Sequence, residues 1–291
     1  MLVTLWSGLT LGAVYATVAL GFTLSMLPSG VFNFAQGAVV VTGTYVTYAV
    51  LHEDLGVLAL IGVNTIVGVT LGVLCEVLCV RPLQRGGRVL TQRNELLTTI
   101  GLSTAIVGVI GLLWGYLPIA VPFAGGIRQW RLLDVVVQLD QLVLLAGALL
   151  SAVTLHHWFR RTRHGQACLA VAEDRDAAAL RGVNVNLLSL TGFAAAGAFG
   201  TLSAIALGPI TYAIPTLAIT LALGGFVAMA IGGHGNFLGC LAGGLLVGVS
   251  SSLATRYLGA AFDDLAVFAL LLATLLMRPA GLAAAAAVRS V

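Results

Sequence analysis

Asn33 and Gln36 stand one helical turn apart in the stretch GVFNFAQGAVVVTGTYV, residues 30 to 46, where nearly every neighbour is apolar. Two carboxamides offer hydrogen-bond donors and acceptors without charge, so the chemistry they support is reversible hydrogen bonding to a passing solute or to another helix. Catalytic groups do not assemble elsewhere. The five histidines, His52, His156, His157, His164 and His234, form no HExxH motif, and no GxSxG elbow occurs. Cys75 and Cys79 lie at i and i+4, but with Cys168 and Cys240 far off they read as small packing residues before they read as metal ligands or a disulfide framework. All 14 basic side chains are arginine. Without lysine there is neither a GxxxxGK[ST] phosphate loop nor Schiff-base chemistry, so the chain does not hydrolyse a nucleotide by that machinery. No catalytic residue, metal, cofactor or nucleic-acid partner is assigned.

The elements that must position the amides follow from composition. With 59% hydrophobic residues, 9% charged residues and a mean hydropathy of +1.04 over 291 residues, the chain has the composition of an integral membrane protein. Apolar runs fall near residues 2 to 27, 31 to 51, 55 to 80, 96 to 117, 139 to 159, 187 to 207, 215 to 233, 237 to 256 and 262 to 277. Most match the ~20 residues that cross a bilayer as a helix, and none has the ~10-residue alternation of a membrane β-barrel. The expected fold is therefore one all-α, polytopic domain over residues 1–291 with about eight or nine spans. Pro28 and Gly30 interrupt the chain before the second run, and Gly224-Gly225 and Gly232-Gly233 lie in the seventh. Both runs are expected to be broken or re-entrant, which non-helical backbone tolerates where protein or a watery cavity satisfies it. An arrangement in two inverted halves is compatible with this pattern.

The N-terminus MLVTLWSGLTLG lacks the basic region and cleavage site of a secretory signal, so the first run is expected to be retained. Arg81, Arg85, Arg88 and Arg93 are expected in one loop, and Arg160, Arg161, Arg163, Arg175 and Arg181 in another, two spans away. The positive-inside rule puts both in the cytoplasm. His52-Glu53-Asp54, the loop of Arg128 and Arg131, and the N-terminus then lie outside; the pattern mildly prefers an inside C-terminus with Arg278 and Arg289. Glu76 is the one acid clearly inside a proposed span, near its cytoplasmic end and close to Arg81. Pairing or snorkelling at the interface is favoured over a proton relay.

Glycine is abundant, 36 in all, and recurs as GxxxG: Gly8 with Gly12, Gly68 with Gly72, Gly111 with Gly115, Gly239 with Gly243, and Gly244 with Gly248. In lipid such small faces let helices approach closely. One segment is too charged to span: residues 160 to 186, RRTRHGQACLAVAEDRDAAALRGVNVN. Between Gly165 and Gly182 it carries strong helix formers, with Gly182 suited to a left-handed stop after Arg181. It reads as a helix lying along the membrane, docked in a partner's groove or simply solvated.

Together the opening GLTLGAVYATVALGFTLSMLPSGVFNFAQGAVVVTGTYV, this cytoplasmic segment and the late AIGGHGNFLGCLAGGLLVGV resemble the permease subunits of branched-chain amino acid ABC importers, in order from residue 8 to about 281. The resemblance implies a second permease subunit, alike or different, two cytoplasmic ABC ATPase subunits, and an extracytoplasmic substrate-binding protein. It implies that the cytoplasmic segment couples to the ATPase through Arg163, Gly165, Ala167, Ala172, Glu173, Asp174 and Gly182. It implies a bacterial inner membrane and an import function for branched-chain or other hydrophobic amino acids. The family usually shows a sequence like NFAHGE; here Asn33, Phe34, Ala35 and Gly37 fit, while Gln36 and Ala38 depart. Asn33, Phe34, Gln36 and Gly37 then line the substrate path or bond neighbouring helices, two readings of equal standing. The departures leave urea, short amides or another small polar solute as an alternative substrate. An ATP-independent channel is the alternative from another class, and leaves the cytoplasmic segment without a task.

Overall fold

A computed structural model describes residues 1–53, 55–82, 88–126, 129–132 and 135–277, with backbone alone for 88–95, 131, 132, 135, 260 and 264. Asp54, Arg85, Arg128, Arg278 and Arg289 lie outside the described residues, as do the side chains of Arg88, Arg93 and Arg131. The order is α1 (Leu2–Ser29), α2 (Gln36–His52), α3 (Gly56–Cys75) continued by a π-turn (Glu76–Val80), α4 (Arg88–Trp114), β1 (Gln129–Leu132), β2 (Val135–Gln138) and α5 (Leu139–Arg161). There follow α6 (Arg163–Glu173), α7 (Arg175–Leu180), α8 (Val185–Thr211), α9 (Leu217–Gly232), α10 (Phe237–Tyr257) and α11 (Asp263–Met277).

Among the described residues, six helical segments are long and apolar enough to cross a membrane: Leu2–Ser29, Gly56–Val80, Leu96–Trp114, Leu139–Arg161, Val185–Thr211 and Phe237–Tyr257. The two runs expected to be irregular both form short helices. At 17 residues α2 is ~25 Å long and at 16 residues α9 is ~24 Å, both short of a ~30 Å hydrocarbon core. Each follows a long helix across a non-helical break. Between α1 and α2 the chain turns at Gly30, φ 73°, and between α8 and α9 at Tyr212, φ 62°. Tyr212 is the one non-glycine residue with positive φ among those described, a strained conformation for a side chain of that size.

Two departures from the sequence expectations concern local structure. Arg88 and Arg93 belong to the first turns of α4, not to a loop, because helix-compatible residues continue without Gly or Pro from Arg88 into the apolar run. A two-stranded antiparallel hairpin also precedes α5, pairing Gln129 with Gln138 and Trp130 with Val137. The β-branched run Val135-Val136-Val137 favours that strand and is too short to read as more than loop against the neighbouring spans.

The chain forms two compact units. One comprises Met1–Thr23, Arg128–His157 and Leu223–Val291, the other Leu24–Ile127 and Trp158–Ala222. In the first, Gly8 and Gly12 of α1 meet Gly244 and Gly248 of α10: a Cβ on Gly12 would lie 2.7 Å from the Leu245 Cα. Gly239 and Gly243 pack on α9 at Gly232 and Ala228. In the second unit, Gly68 and Gly72 of α3 sit against the backbone of α8 at Gly197 and Phe193. Small-residue faces thus bring these backbones together. Gly111 and Gly115 are different. Gly115 takes φ 81° and ends α4, donating its N–H to the Gly111 carbonyl at 2.9 Å.

Candidate functional site

The break between α1 and α2 is built from its own polar atoms. Ser29 Oγ donates to the Ser25 carbonyl at 2.6 Å and accepts from the Val31 N–H at 3.0 Å. Asn33 Oδ1 accepts the Ala35 N–H at 3.2 Å, and the Asn33 carbonyl accepts the Gln36 N–H at 3.0 Å. Asn33 therefore folds the turn that starts α2, which satisfies donors a helix start would leave open. Gln36 works across helices. Its Nε2 donates to the Ala196 carbonyl of α8 at 2.9 Å, in room left by Gly200, where a Cβ would stand 2.7 Å from that nitrogen. Its Oε1 is buried and accepts no hydrogen bond from the described residues. A buried amide oxygen without a donor carries a desolvation cost of ~1–3 kcal/mol that a polar solute could relieve.

Gly37 is placed by a different demand. A Cβ on it would overlap the Ala218 carbonyl and stand 3.0 Å from the Ala222 nitrogen, so α2 and α9 touch backbone to backbone at their N-terminal turns. Gly37 and Ala218 are the second residues of their helices. Phe34, just before α2, is half-buried. Asn33, Gln36 and Gly37 each make the contacts given above, and the Gln36 oxygen keeps capacity for another.

Around the break, Val31 and Ala35 pack in one buried cluster with Cys75, Val80 and Phe193. That cluster includes the ends of the π-turn's surroundings, Cys75 before it and Val80 within it. Glu76 begins the turn, fully buried, and its carboxylate stands 2.8 Å from Arg81 Nε, as the sequence spacing suggested. Ser189 of α8 faces the same carboxylate. No group of three or more His, Cys, Asp or Glu side chains able to hold a metal occurs among the described residues.

The segment 160 to 186 forms an elbow of two helices where one was expected. Asp174 divides it: its backbone is extended, φ −149° and ψ 106°, and its carboxylate accepts the N–H groups of Asp176 and Ala177, both at 3.0 Å, as the N-cap of α7. Thr162 caps α6 by accepting from the Gly165 N–H at 3.1 Å. Gly165 permits the corner between α5 and α6, since a Cβ there would stand 2.7 Å from the carbonyls of Trp158 and Phe159. Gly182 closes the elbow at φ 86°.

Burial sorts the elbow into two faces. Gly165, Cys168, Val171 and Ala178 point inward; burial pushes the Cys168 thiol up to about 11. Arg163, Ala172, Glu173, Asp174, Arg181 and Gly182 are exposed, and Ala167 is half-buried. Leu180 stands at the tip of α7, 90% exposed. Sequence reasoning passed over Leu180 because an isolated leucine in a helical run reads as an inward residue. It also passed over Arg175, which reaches back 146 positions to donate from Nη1 to the Ser29 carbonyl at 3.0 Å.

The comparisons with known proteins agree on one family. The model of the branched-chain amino acid transport system permease component matches residues 4–277. The chain is similar to the high-affinity branched-chain amino acid transport system permease protein BraD of Pseudomonas aeruginosa, 30% identical over 95% of this chain and 93% of that one. It is 28% identical to LivH of Salmonella typhimurium, over 96% of this chain and 94% of the relative. A probable LivH of Methanocaldococcus jannaschii is 27% identical over 91% and 87%. No solved structure gives a significant match. With a helical, polytopic fold and a family match running almost end to end, this chain belongs to the branched-chain amino acid transport system permease components.

Proposed function

We propose that the chain is the transmembrane permease subunit of an ATP-driven importer for branched-chain or other hydrophobic amino acids. It receives substrate from an extracytoplasmic binding protein and acts with a second permease subunit, identical or related, and with cytoplasmic ABC ATPases. The protein lies in a bacterial inner membrane with its N-terminus outside. The observation that carries this reading is the elbow α6–α7, whose outer face gathers Arg163, Ala172, Glu173, Asp174 and an almost fully exposed Leu180 in a chain of the permease family. An exposed apolar tip among charges suits a groove that takes one anchor side chain and pairs the rim. Gly165 and Gly182 shape the elbow rather than its charge.

On the transport side, Asn33, Phe34, Gln36 and Gly37 border the path. The free Gln36 Oε1 offers a passing ammonium or amide group one weak, uncharged acceptor, which suits passage better than tight retention. The same oxygen favours a second reading, transport of a small neutral amide, because the family's usual ionisable pair is replaced by Gln36 and Ala38. Reconstitution with the co-purifying ATPases and binding protein tests both. ATP-dependent uptake of leucine that excess urea does not compete supports the first, urea uptake supports the second, and flux without ATP contradicts both.

A further inference from the structure

We infer that Arg175 is a positioning residue that ties the cytoplasmic elbow to the break between α1 and α2, so that movement of α7 is delivered to the turn carrying Asn33 and Gln36. The inference rests on the reading of the elbow as the ATPase contact. Four observations carry it, all within one compact unit.

First, the acceptor is an open helix end. The chain leaves α1 at Gly30, whose N–H still bonds the Met26 carbonyl at 2.7 Å, so the Ser29 carbonyl belongs to the final group that no later turn of the helix serves. The Arg175 guanidinium fills that position at 3.0 Å, where a cation at a helix C-terminus is also electrostatically favoured. Second, the donor stands at the joint of the elbow. Arg175 is the first residue of α7, directly after the Asp174 cap, so a change in the angle between α6 and α7 displaces its base. Third, the receiving end is short and hydrogen-bonded locally on both sides of Phe32. The Ser29 hydroxyl accepts from Val31, the Asn33 side chain and carbonyl accept from Ala35 and Gln36, and the single residue Phe32 separates the two groups along the chain. Fourth, the other break is held differently. Between α8 and α9 the Ala213 carbonyl accepts from Tyr45 Oη and the Ile119 N–H, both at 3.1 Å, with no elbow residue among those partners. The Arg175 bond to the Ser29 carbonyl thus gives the α1–α2 break a direct link to the elbow.

Arginine suits this task because it stays charged and its planar fork keeps direction through a small displacement. The test uses the permease assembled with its ATPases in nanodiscs, comparing hydrogen–deuterium exchange without nucleotide and after trapping with ATP and vanadate. In the wild-type chain, trapping changes exchange in residues 163–182 and also in 28–37. In R175M and R175Q, the change at 163–182 persists and the change at 28–37 is lost, with R175K retaining part of it. A purely structural arginine would instead raise exchange at 28–37 in both states and leave the trapping difference in place, which overturns the inference. So does failure of either variant to bind ATPase, which would place Arg175 in the docking contact, or failure of both to fold. A wild-type chain that changes at 163–182 but not at 28–37 removes the inference alone. No change at 163–182 removes the importer reading with it.

Discussion

Gly37 of α2 and Ala218 of α9 meet backbone to backbone, the second residue of one short helix on the second residue of the other. Both helices start after a long helix and a break with positive φ, at Gly30 and at Tyr212. The two N-terminal turns therefore bring the positive ends of two helix dipoles together beside the Gln36 amide, a pattern that discontinuous transporter helices use around a solute path. Gly37→Ala is expected to force these helices apart, because the overlapping atoms are backbone and cannot rotate away. The cost should be about 2 kcal/mol or more, seen as a lower melting temperature in detergent. Gly30→Ala meets open space and should cost only the ~1–2 kcal/mol of a left-handed conformation. Equal losses for the two would contradict the close approach.

Gln36 separates packing from transport. Gln36→Ala removes the bond to the Ala196 carbonyl, worth about 1 kcal/mol in lipid, and the free acceptor with it. Assembly should persist while uptake falls, and the pair Asn33→Ala with Gln36→Ala should fall further because the start of α2 also loses its turn. Normal uptake by a stably assembled double variant would take these amides out of the path.

The ion pair Glu76–Arg81 is asymmetric: Glu76 is buried, whereas the Arg81 side chain is 42% exposed. Arg81→Gln leaves a buried carboxylate uncompensated and should cost about 2–3 kcal/mol, less than a fully buried pair because water reaches the arginine. Glu76→Gln leaves a cation that can turn to solvent and should cost under ~1 kcal/mol. Thermal unfolding of both variants checks the order, and the reverse order would mean that Glu76 is not the partner that needs the other.

Cys168 faces inward from α6 with its thiol raised to about 11 by burial. Maleimide labelling at this site is expected to be negligible from pH 7 to 9 in the folded chain and to appear on unfolding, because only the thiolate reacts. The sign for stability follows. The unfolded thiol ionises near its ordinary value, so stability from this group is full below that pH and declines as pH rises toward the folded value. Labelling of Cys168 at pH 8 as fast as a free thiol would show that the inner face of the elbow opens.

Span positions and the amide motif were legible in the sequence because hydropathy and glycine placement act locally. The π-turn, the hairpin before α5 and the division of the elbow at Asp174 were not. Asp174 sits in a charged helical run, and only the geometry reveals that its carboxylate caps a new helix. Gly111 and Gly115 show the opposite error, a GxxxG spacing whose second glycine stops a helix instead of packing one. Arg175 was visible as one of five arginines in the charged segment, but a partner 146 residues away has no local signature.

Leu180 provides an independent check on the elbow's outer face. Leu180→Asp removes an apolar anchor that touches little of the chain itself, so folding should be unchanged while affinity for the ATPase drops about tenfold or more. Unchanged affinity would move the docking surface elsewhere on the chain.

The most direct test of the importer reading is affinity purification from the native host in mild detergent, with mass spectrometry of the bound proteins. The intact chain is compared with one whose residues 166 to 181 are replaced by a flexible linker. A soluble ABC ATPase that accompanies the intact chain and is lost with the linker is the expected result. Its absence from the intact chain, under conditions that preserve other membrane complexes, would contradict the account and turn attention to solute flux in liposomes without ATP.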